Sequence, residues 1–350
     1  MRQHANVAGV TTGSHTSPTA DICMLWNVLE AEDSCGLSKR AGDEVSQPAP
    51  MDILTHVKQL GGSTTRATLI ARYGRGEVER ALRERQLIRI CTGRYAVPTL
   101  EPAARTAAAW GGVLSMRSAA ERLGWGLKQS PRLPDVTFRR QRHLSRAARA
   151  VLVPHWSDLG HDEVVNGATS VRRTLIDCMR MLPLDESVPI VDSALRAGDV
   201  TPAELTEIAA AMRGRGRARA MGVAAMATTR AKNAFESTLR ALASTIPGLA
   251  CVPQLPVRIG PGLVWHPDLA DPDLRLIVEA ESFEWHGKSR QLTSDCARYN
   301  TFVLLGWTVV RFSWWQVVFR PAYVLQVLMD AVLAARRHAN VAPESVVRAA

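Results

Sequence analysis

The sequence predicts a mixed α/β protein built from several domains. Its 350 residues exceed what one hydrophobic core usually organises, and hydrophobic residues make up 46% of the chain, enough for sizeable cores. Strand-like apolar runs alternate with stretches of helical period, which is the pattern of a mixed fold. We predict a winged helix-turn-helix over residues 51–98, a helix-rich middle domain with a basic linker over 99–230, and an α/β domain over 231–338.

The two chain ends are expected to contribute no core. Residues 1–50 mix Thr, Ser, Gly, Asp and His without a consistent hydrophobic period, which predicts disorder. The alternative is that the true start lies near Met51, where the first clean helical pattern begins, and that residues 1–50 are an upstream extension. Residues 339–350 are predicted to be a C-terminal tail.

Basic residues outnumber acidic ones, with 43 Lys and Arg against 33 Asp and Glu and a net charge of +10. This excess favours a polyanionic partner, most simply DNA, although a coding bias that replaces lysine by arginine would give the same composition. The six cysteines show neither C-x-x-C nor zinc-site spacing, as expected for free thiols in the cytoplasm. We find no apolar run of membrane-spanning length and no secretory signal, so no membrane partner is expected.

The segment 51–98 predicts three helices followed by two short strands. Gly74 breaks the second helix, and Thr92-Gly93 marks the turn of a small hairpin. This order is typical of a winged helix-turn-helix, which in DNA-binding proteins presents basic side chains to phosphates. Nine Lys and Arg against four Asp and Glu support that role. The candidate DNA-binding residues are Arg75, Arg80, Arg83 and Arg94. The alternative is a protein-docking module with a solvated charged face.

The end of this segment carries a recognisable motif. Residues 86–97 spell Q-L-I-R-I-C-T-G-R-Y-A-V, which resembles the N-terminal domain of type IV abortive-infection antitoxins. Residues 113–120 resemble a helix of the same proteins, with Met116-Arg117 where their histidine stands. The resemblance implies DNA binding and a possible partner, namely a cognate toxin or a phage-defence protein.

The middle region is predicted to be mainly helical. Two packed helices are expected from Thr169–Asp177 and Val188–Leu195, and short strands from Val136–Arg142 and Ala150–Pro154. Six arginines lie between residues 132 and 149 with one acid, Asp135. They predict either a phosphate-facing patch or a plain exposed basic loop. The run of alternating arginines at 213–219 is predicted to be a basic linker.

Three carboxylates are predicted to meet on a hairpin in the C-terminal domain. The apolar runs Leu263–Ala270 and Leu274–Ala280 predict two strands joined by the turn Asp271-Pro272-Asp273. Side chains alternate along a strand, so Glu279 and Glu281 share one face and Asp268 lies beside them. Converging carboxylates repel each other unless a cation lies between them, which predicts a Mg²⁺ or Mn²⁺ site.

The motifs around this hairpin resemble a nuclease family. The order P-D, E-x-E, E-W-H, D-x-x-R and L-G-W-T-V-V-R-F is similar to the very-short-patch-repair-endonuclease-like group of the PD-(D/E)xK superfamily, in particular the family called domain of unknown function 559. The resemblance covers about residues 232–330 and implies a restriction-endonuclease-like core. It implies that Asp268 and Glu279 bind the metal, that His286 is catalytic, and that Glu236 is an accessory acid. Glu281 stands where the superfamily has its catalytic lysine.

These features lead to one expected function and two alternatives. The expected function is that of a Mg²⁺-dependent DNA endonuclease, in which Asp268 and Glu279 hold the metal and Glu281 or His286 accepts or relays a proton. The missing lysine favours the first alternative, a non-enzymatic antitoxin or transcriptional regulator with a degenerate nuclease fold. The second alternative is a protein-interaction module of a phage-defence or toxin–antitoxin operon.

Overall fold

The computed structural model describes residues 51–281 and 289–341. The predicted disordered segment 1–50, His286 and residues 342–350 lie outside these ranges. As predicted, the fold is mixed α/β, with helices and four β-sheets in the described residues. None of the described helices is long and apolar enough to cross a membrane.

The first region follows the predicted order of elements and adds one strand. Its elements are α1 (Ile53–Gln59), β1 (Ser63–Thr65), α2 (Arg66–Arg83), β2 (Ile88–Cys91) and β3 (Arg94–Ala96), and its sheet has the order β1-β3-β2. The backbone of Gly74 leaves the helical region, with φ 77° and ψ 164°, so α2 consists of two helices as predicted. Strand β1 was not predicted, and its last residue, Thr65, caps α2 by accepting a hydrogen bond from Thr68 N.

The middle region contains more sheet than predicted. Its helices are α3 (Pro102–Trp110), α4 (Met116–Arg122), α5 (Arg146–Val151), α6 (Val171–Met181), α7 (Leu184–Ala197), α8 (Pro202–Ala211) and α9 (Arg217–Met226). Its strands are β4 (Val113–Leu114), β5 (Asp135–Phe138), β6 (Val153–Trp156), β7 (Val164–Val165) and β8 (Ala168–Thr169), which form one sheet in the order β6-β5-β4-β8-β7. Strands of two residues are too short to show alternation in a sequence.

Three predictions for this region are corrected. The helix predicted over 113–120 begins only at Met116, because the first two residues form β4. The strand predicted over Ala150–Pro154 begins at Val153, because Ala150 and Val151 end α5. The predicted basic linker is shorter than expected, because its last three residues open α9.

The C-terminal region is a four-stranded sheet between helices. It contains α10 (Ala234–Ala243), β9 (Val252–Pro253), β10 (Val257–Gly260), β11 (Leu263–Trp265), β12 (Leu269–Asp271), β13 (Leu276–Glu281), α11 (Ser289–Leu304), β14 (Thr308–Ser313), α12 (Trp314–Phe319) and α13 (Pro321–Val341). The sheet order is β14-β13-β12-β9, with β12 and β13 antiparallel and β13 and β14 parallel across α11. Helix α13 continues into the predicted tail.

Two faces of this sheet are covered by different helices. Leu276 and Val278 of β13 pack with Leu239 of α10 and Leu328 of α13. Ile277 lies on the other face, with Phe302 of α11. Because side chains alternate along a strand, Glu279 and Glu281 follow Ile277 onto the α11 side. Both glutamates therefore lie at the C-terminal end of β13, on the face of the sheet that α11 covers.

Two predictions for this region are wrong in detail. The strand predicted over Leu263–Ala270 is two strands, since β11 pairs with β10 whereas β12 pairs with β13. Pro267 lies at the break, and proline has no N–H to donate to a ladder. The strand predicted over Leu274–Ala280 begins only at Leu276, because Leu274 and Arg275 belong to the turn.

Helix α10 also contacts the middle region, through a buried ion pair. Arg240 Nη2 of α10 lies 2.7 Å from Asp192 Oδ2 of α7, and both side chains are buried. Arg240 Nη1 donates to Met226 O, and Asp192 Oδ1 accepts from Thr228 N. Asp192 therefore connects α7 to α10 and to the residues that follow α9.

Removing one charge of this pair should destabilise the protein strongly. Asp192→Asn should lower the free energy of unfolding by about 3–5 kcal/mol, because Arg240 keeps a buried charge without its counter-ion. Combining Asp192→Asn with Arg240→Met should cost clearly less than the two single changes together, because neither charge then remains. Urea denaturation of the four proteins measures this. Additive single effects would contradict the proposed coupling.

Candidate functional site

The antiparallel register of the hairpin brings Asp268 and Glu279 together. Leu269 pairs with Val278, so the preceding residue, Asp268, lies across from Glu279. Ala280 N donates to Asp268 Oδ2 at 3.0 Å, and Asp268 N donates to Glu279 Oε2 at 3.4 Å. The two residues predicted to bind metal are therefore neighbours at the end of the hairpin.

The turn of this hairpin is fixed by another carboxylate. Asp271 Oδ1 accepts hydrogen bonds from Asp273 N and Leu274 N, both at 3.0 Å, and its Oδ2 accepts from Ala250 N at 2.7 Å. Asp271 is buried, and it therefore acts as a turn residue, as the sequence predicts. Its carboxylate is satisfied by backbone N–H groups, which removes it from the candidate metal ligands.

Glu279 is a buried acidic residue without an ion-pair partner among the described residues. Its side chain is 3% exposed, and its Oε1 has no hydrogen-bond partner among the described residues. Burial, followed by the negative charge of Asp268, raises the pKa of Glu279 to about 8, and Arg298 opposes this rise. Near neutral pH the pair therefore keeps a proton. An unpaired buried oxygen beside a second carboxylate fits a hard cation, which takes carboxylate oxygens as ligands.

A glutamine links Glu236, the predicted accessory acid, to the pair of Asp268 and Glu279. Gln254 Nε2 donates to Glu236 Oε2 and to Asp268 Oδ1, both at 3.3 Å. Glu236 is held at the start of α10, where its Oε2 accepts from Lys232 N at 2.8 Å, and burial raises its pKa. The backbone of Gln254 has φ 53°, in the left-handed region that glutamine seldom adopts. Gln254 was not predicted, since neither its φ nor its hydrogen-bond partners can be deduced from residue type.

Glu281 lies on the same face of β13 but has other partners. Its Oε1 accepts hydrogen bonds from the Tyr299 hydroxyl and from Arg311, whose Nη2 lies at 2.8 Å. Arg311 thus provides the counter-charge for Glu281 from the neighbouring strand β14. The predicted group of three carboxylates is in this structure a closely placed pair, Asp268 and Glu279, with Glu236 joined through Gln254. Within the described residues, no three His, Cys, Asp or Glu side chains form a ready metal cluster.

A cavity of about 250 Å³ opens beside Glu279. Its wall includes His266, Glu279, Asp295, Arg298 and Phe302. His266 is exposed, and Arg298 is the cation whose charge lowers the pKa of Glu279. His286 lies outside the described residues, so its place relative to this cavity stays a prediction. His266 and Arg298 were not predicted as site residues, although His266 directly precedes the quoted P-D motif and Arg298 belongs to the quoted D-x-x-R pattern.

The predicted DNA-binding arginines of the first region differ in their surroundings. Arg75 and Arg83 are exposed. Arg80 donates to both carboxylate oxygens of Glu77 at 2.6 Å, so its charge is partly neutralised. Arg94 is half-buried, with its guanidinium against the backbone of Gly111. The four predicted arginines therefore differ in their exposure and in whether a carboxylate pairs with them.

Comparison with known proteins gives relatives without an assigned activity. No family model matches the chain. Two uncharacterized proteins of Mycobacterium tuberculosis, from strains CDC 1551 / Oshkosh and ATCC 25618 / H37Rv, are each 34% identical over 146 residues, which is 41% of this chain and 53% of each relative. The chain thus spans about half the length of the curated relatives it matches. A crystal structure of another M. tuberculosis protein aligns with a TM-score of 0.27 and 17% identity, covering 51% of this chain and 80% of that one.

The raised pKa of Glu279 should make stability depend on pH. The folded protein retains this proton up to about pH 8, whereas the unfolded chain loses it near the ordinary value of 4.5. The stabilising effect is therefore complete below pH 4.5 and is lost as pH rises to 8, by roughly 2–4 kcal/mol in the free energy of unfolding. Urea denaturation in EDTA between about pH 5 and pH 8 should show this decline in the wild type and a flatter profile in Glu279→Gln. Parallel profiles would contradict the assignment.

Proposed function

We propose that the chain is a divalent-ion-dependent DNA endonuclease whose centre is Asp268 and Glu279. The observation that carries the proposal is the buried pair itself, in which Glu279 Oε1 has no hydrogen-bond partner among the described residues and burial beside Asp268 raises the pKa of Glu279. The surrounding order of α10, three mainly antiparallel strands, α11 and the parallel strand β14 supports it, because it agrees with the restriction-endonuclease-like core that the motifs imply.

Each residue of the site has a defined role in this proposal. Asp268 and Glu279 hold the ion, and Gln254 keeps Asp268 and Glu236 together. A bound divalent ion would supply charge stabilisation to the scissile phosphate. Arg298, in the cavity beside Glu279, donates hydrogen bonds to phosphate oxygens. His286 relays a proton, and Glu281 orients Arg311 and Tyr299 rather than acting as the base.

A second candidate function is that of a DNA-binding regulator without catalysis. One observation favours it: Glu281, at the position of the superfamily lysine, is already paired with Arg311. A carboxylate in that state provides neither the positive charge of the lysine nor an unpaired base. In this version the first region binds DNA, and the C-terminal region contacts a cognate toxin or a defence protein.

Divalent-ion binding should depend on Asp268. Mg²⁺ or Mn²⁺ should raise the melting temperature of the wild type by mass action, equivalent to about 2.7 kcal/mol when the ion is at 100 times its Kd. Asp268→Asn should abolish this gain, and in EDTA it should be at least as stable as the wild type, because the partly buried negative charge beside Glu279 is gone. Asp273→Asn is the matched control, because Asp273 is an exposed turn residue. Calorimetry that finds no ion binding to the wild type rejects the site.

Cleavage should require the same carboxylates. A plasmid-nicking assay with Mg²⁺, Mn²⁺ or EDTA should show activity in the wild type with either ion, a loss of about 10³-fold or more in Asp268→Asn and Glu279→Gln, and slower nicking in His286→Ala. Asp273→Asn should nick normally. Ion binding without cleavage of any DNA tested would leave the regulator as the better function.

A further inference from the structure

A second basic surface lies in the middle region. Along the sequence it is separate from the three-stranded sheet of the first region. Residues 136–157 contain five arginines and no aspartate or glutamate. All five arginines are exposed: Arg139, Arg140, Arg142, Arg146 and Arg149. We call residues 139–149 together with Trp156 the arginine loop.

The acids nearest in sequence do little to neutralise this surface. Asp135 is buried, and its carboxylate is shared by Arg117, at 3.0 Å, and His155 Nε2, at 2.9 Å. Asp158 pairs with Arg140 at 3.6 Å, but both side chains are about 70% exposed, so the attraction is weak. Arg80, in contrast, has its guanidinium chelated by Glu77. The positive charge of the arginine loop is therefore available to an external anion.

Trp156 contacts both arms of the arginine loop and holds them together. Its indole Nε1 donates to Arg142 O at 3.0 Å, and the guanidinium of Arg149 lies 5.3 Å from the ring centroid. Trp156 itself is fixed at the end of β6, the edge strand of the five-stranded sheet, where it pairs with Phe138. Ser145 caps α5 by accepting from Ala148 N. Arginines on both arms of the loop are thus held to one tryptophan.

The loop also frames a concave space of about 640 Å³. Its lining includes Arg139, Arg140, Gln141, Arg142 and Asp158. Guanidinium groups bind phosphate oxygens in a bidentate way, and several of them spaced along a ridge match the repeated charges of a nucleic-acid backbone. A single small anion would need only one or two of these five charges.

We infer that the arginine loop is a phosphate-backbone binding surface for double-stranded DNA, separate from the predicted winged helix. The inference rests on the proposed function for the class of its partner. Contacts of this kind fix the position of a duplex without reading its sequence. Trp156 acts as a positioning residue, because it holds Arg142 and Arg149 without itself carrying charge.

The test compares two triple variants of the full chain in a DNA-binding titration. Fluorescence anisotropy with a labelled duplex in EDTA, at several salt concentrations, measures affinity without cleavage. The variant Arg139→Ala, Arg142→Ala, Arg149→Ala should bind at least about tenfold more weakly, and the slope of log K against log salt should fall by about 2–3. The matched control Arg217→Ala, Arg230→Ala, Arg337→Ala removes three exposed arginines elsewhere and should change the slope by less than about one.

The role of Trp156 has its own readout. Trp156→Ala should weaken DNA binding several-fold and lower the salt slope although it removes no charge, because the two arginines lose their common support. Trp156→Phe keeps a ring beneath Arg149 and should restore part of the affinity. Circular dichroism and melting curves verify that each variant is folded.

Several results would overturn the inference. Equal loss of affinity in both triple variants would mean that only total charge matters. An unchanged slope in the loop variant, or no DNA binding by the wild type, would show that the loop contacts no duplex. Vesicles of phosphatidylserine and phosphatidylcholine that bind the wild type in a loop-dependent way, when DNA does not, would assign the surface to membranes. A protein that binds DNA through the loop but neither binds Mg²⁺ nor cleaves leaves this inference intact and rejects only the nuclease.

Discussion

The register between β12 and β13 is the constraint on which the candidate site depends. Because side chains alternate along β13, shifting the strand by one residue would move Glu279 to the face packed by α10 and α13 and would bring Val278 to the α11 side. The apolar residues on both faces make such a slip costly, so the core holds the acidic side chains of Asp268 and Glu279 close together. Asp271 fixes the turn that sets this register. Core packing and the turn therefore hold Asp268 and Glu279 in positions that their own electrostatic interaction disfavours.

Two buried acidic residues, Asp192 and Glu279, differ in whether an opposite charge pairs with them. Asp192 and Arg240 are both buried, yet each has an opposite charge and a further hydrogen bond with a backbone group. Glu279 is buried to a similar degree, but it has no ion pair among the described residues and its Oε1 has no hydrogen-bond partner there, and burial beside Asp268 raises its pKa. A protein that tolerates an uncompensated acid at one place while satisfying its neighbours has the pattern expected of a binding site rather than of a structural ion pair.

Part of this arrangement could be predicted from the sequence, and the physical reasons differ from element to element. The break in α2 was predicted, because Gly74 readily adopts a non-helical backbone conformation. The hairpin was predicted from turn residues between apolar runs. The two-residue strands β4, β7 and β8 were missed because so short a segment carries no periodicity. Gln254 and Arg298 were missed because their importance lies in contacts between residues far apart in the sequence.

In the proposed function, the arginine loop and the acidic pair have separate tasks, because an acidic centre by itself would repel a polyanion. Carboxylates at an exposed surface would repel phosphates, but Glu279 is buried and protonated near neutral pH, so it adds little negative field. The exposed arginines lie on another part of the chain and carry charge that the nearby acids scarcely reduce. The proposed function therefore assigns the attraction of the polyanion to residues 139–149 and the binding of the ion to Asp268 and Glu279. A divalent ion would displace the proton of Glu279 and add positive charge where the phosphate must come closest.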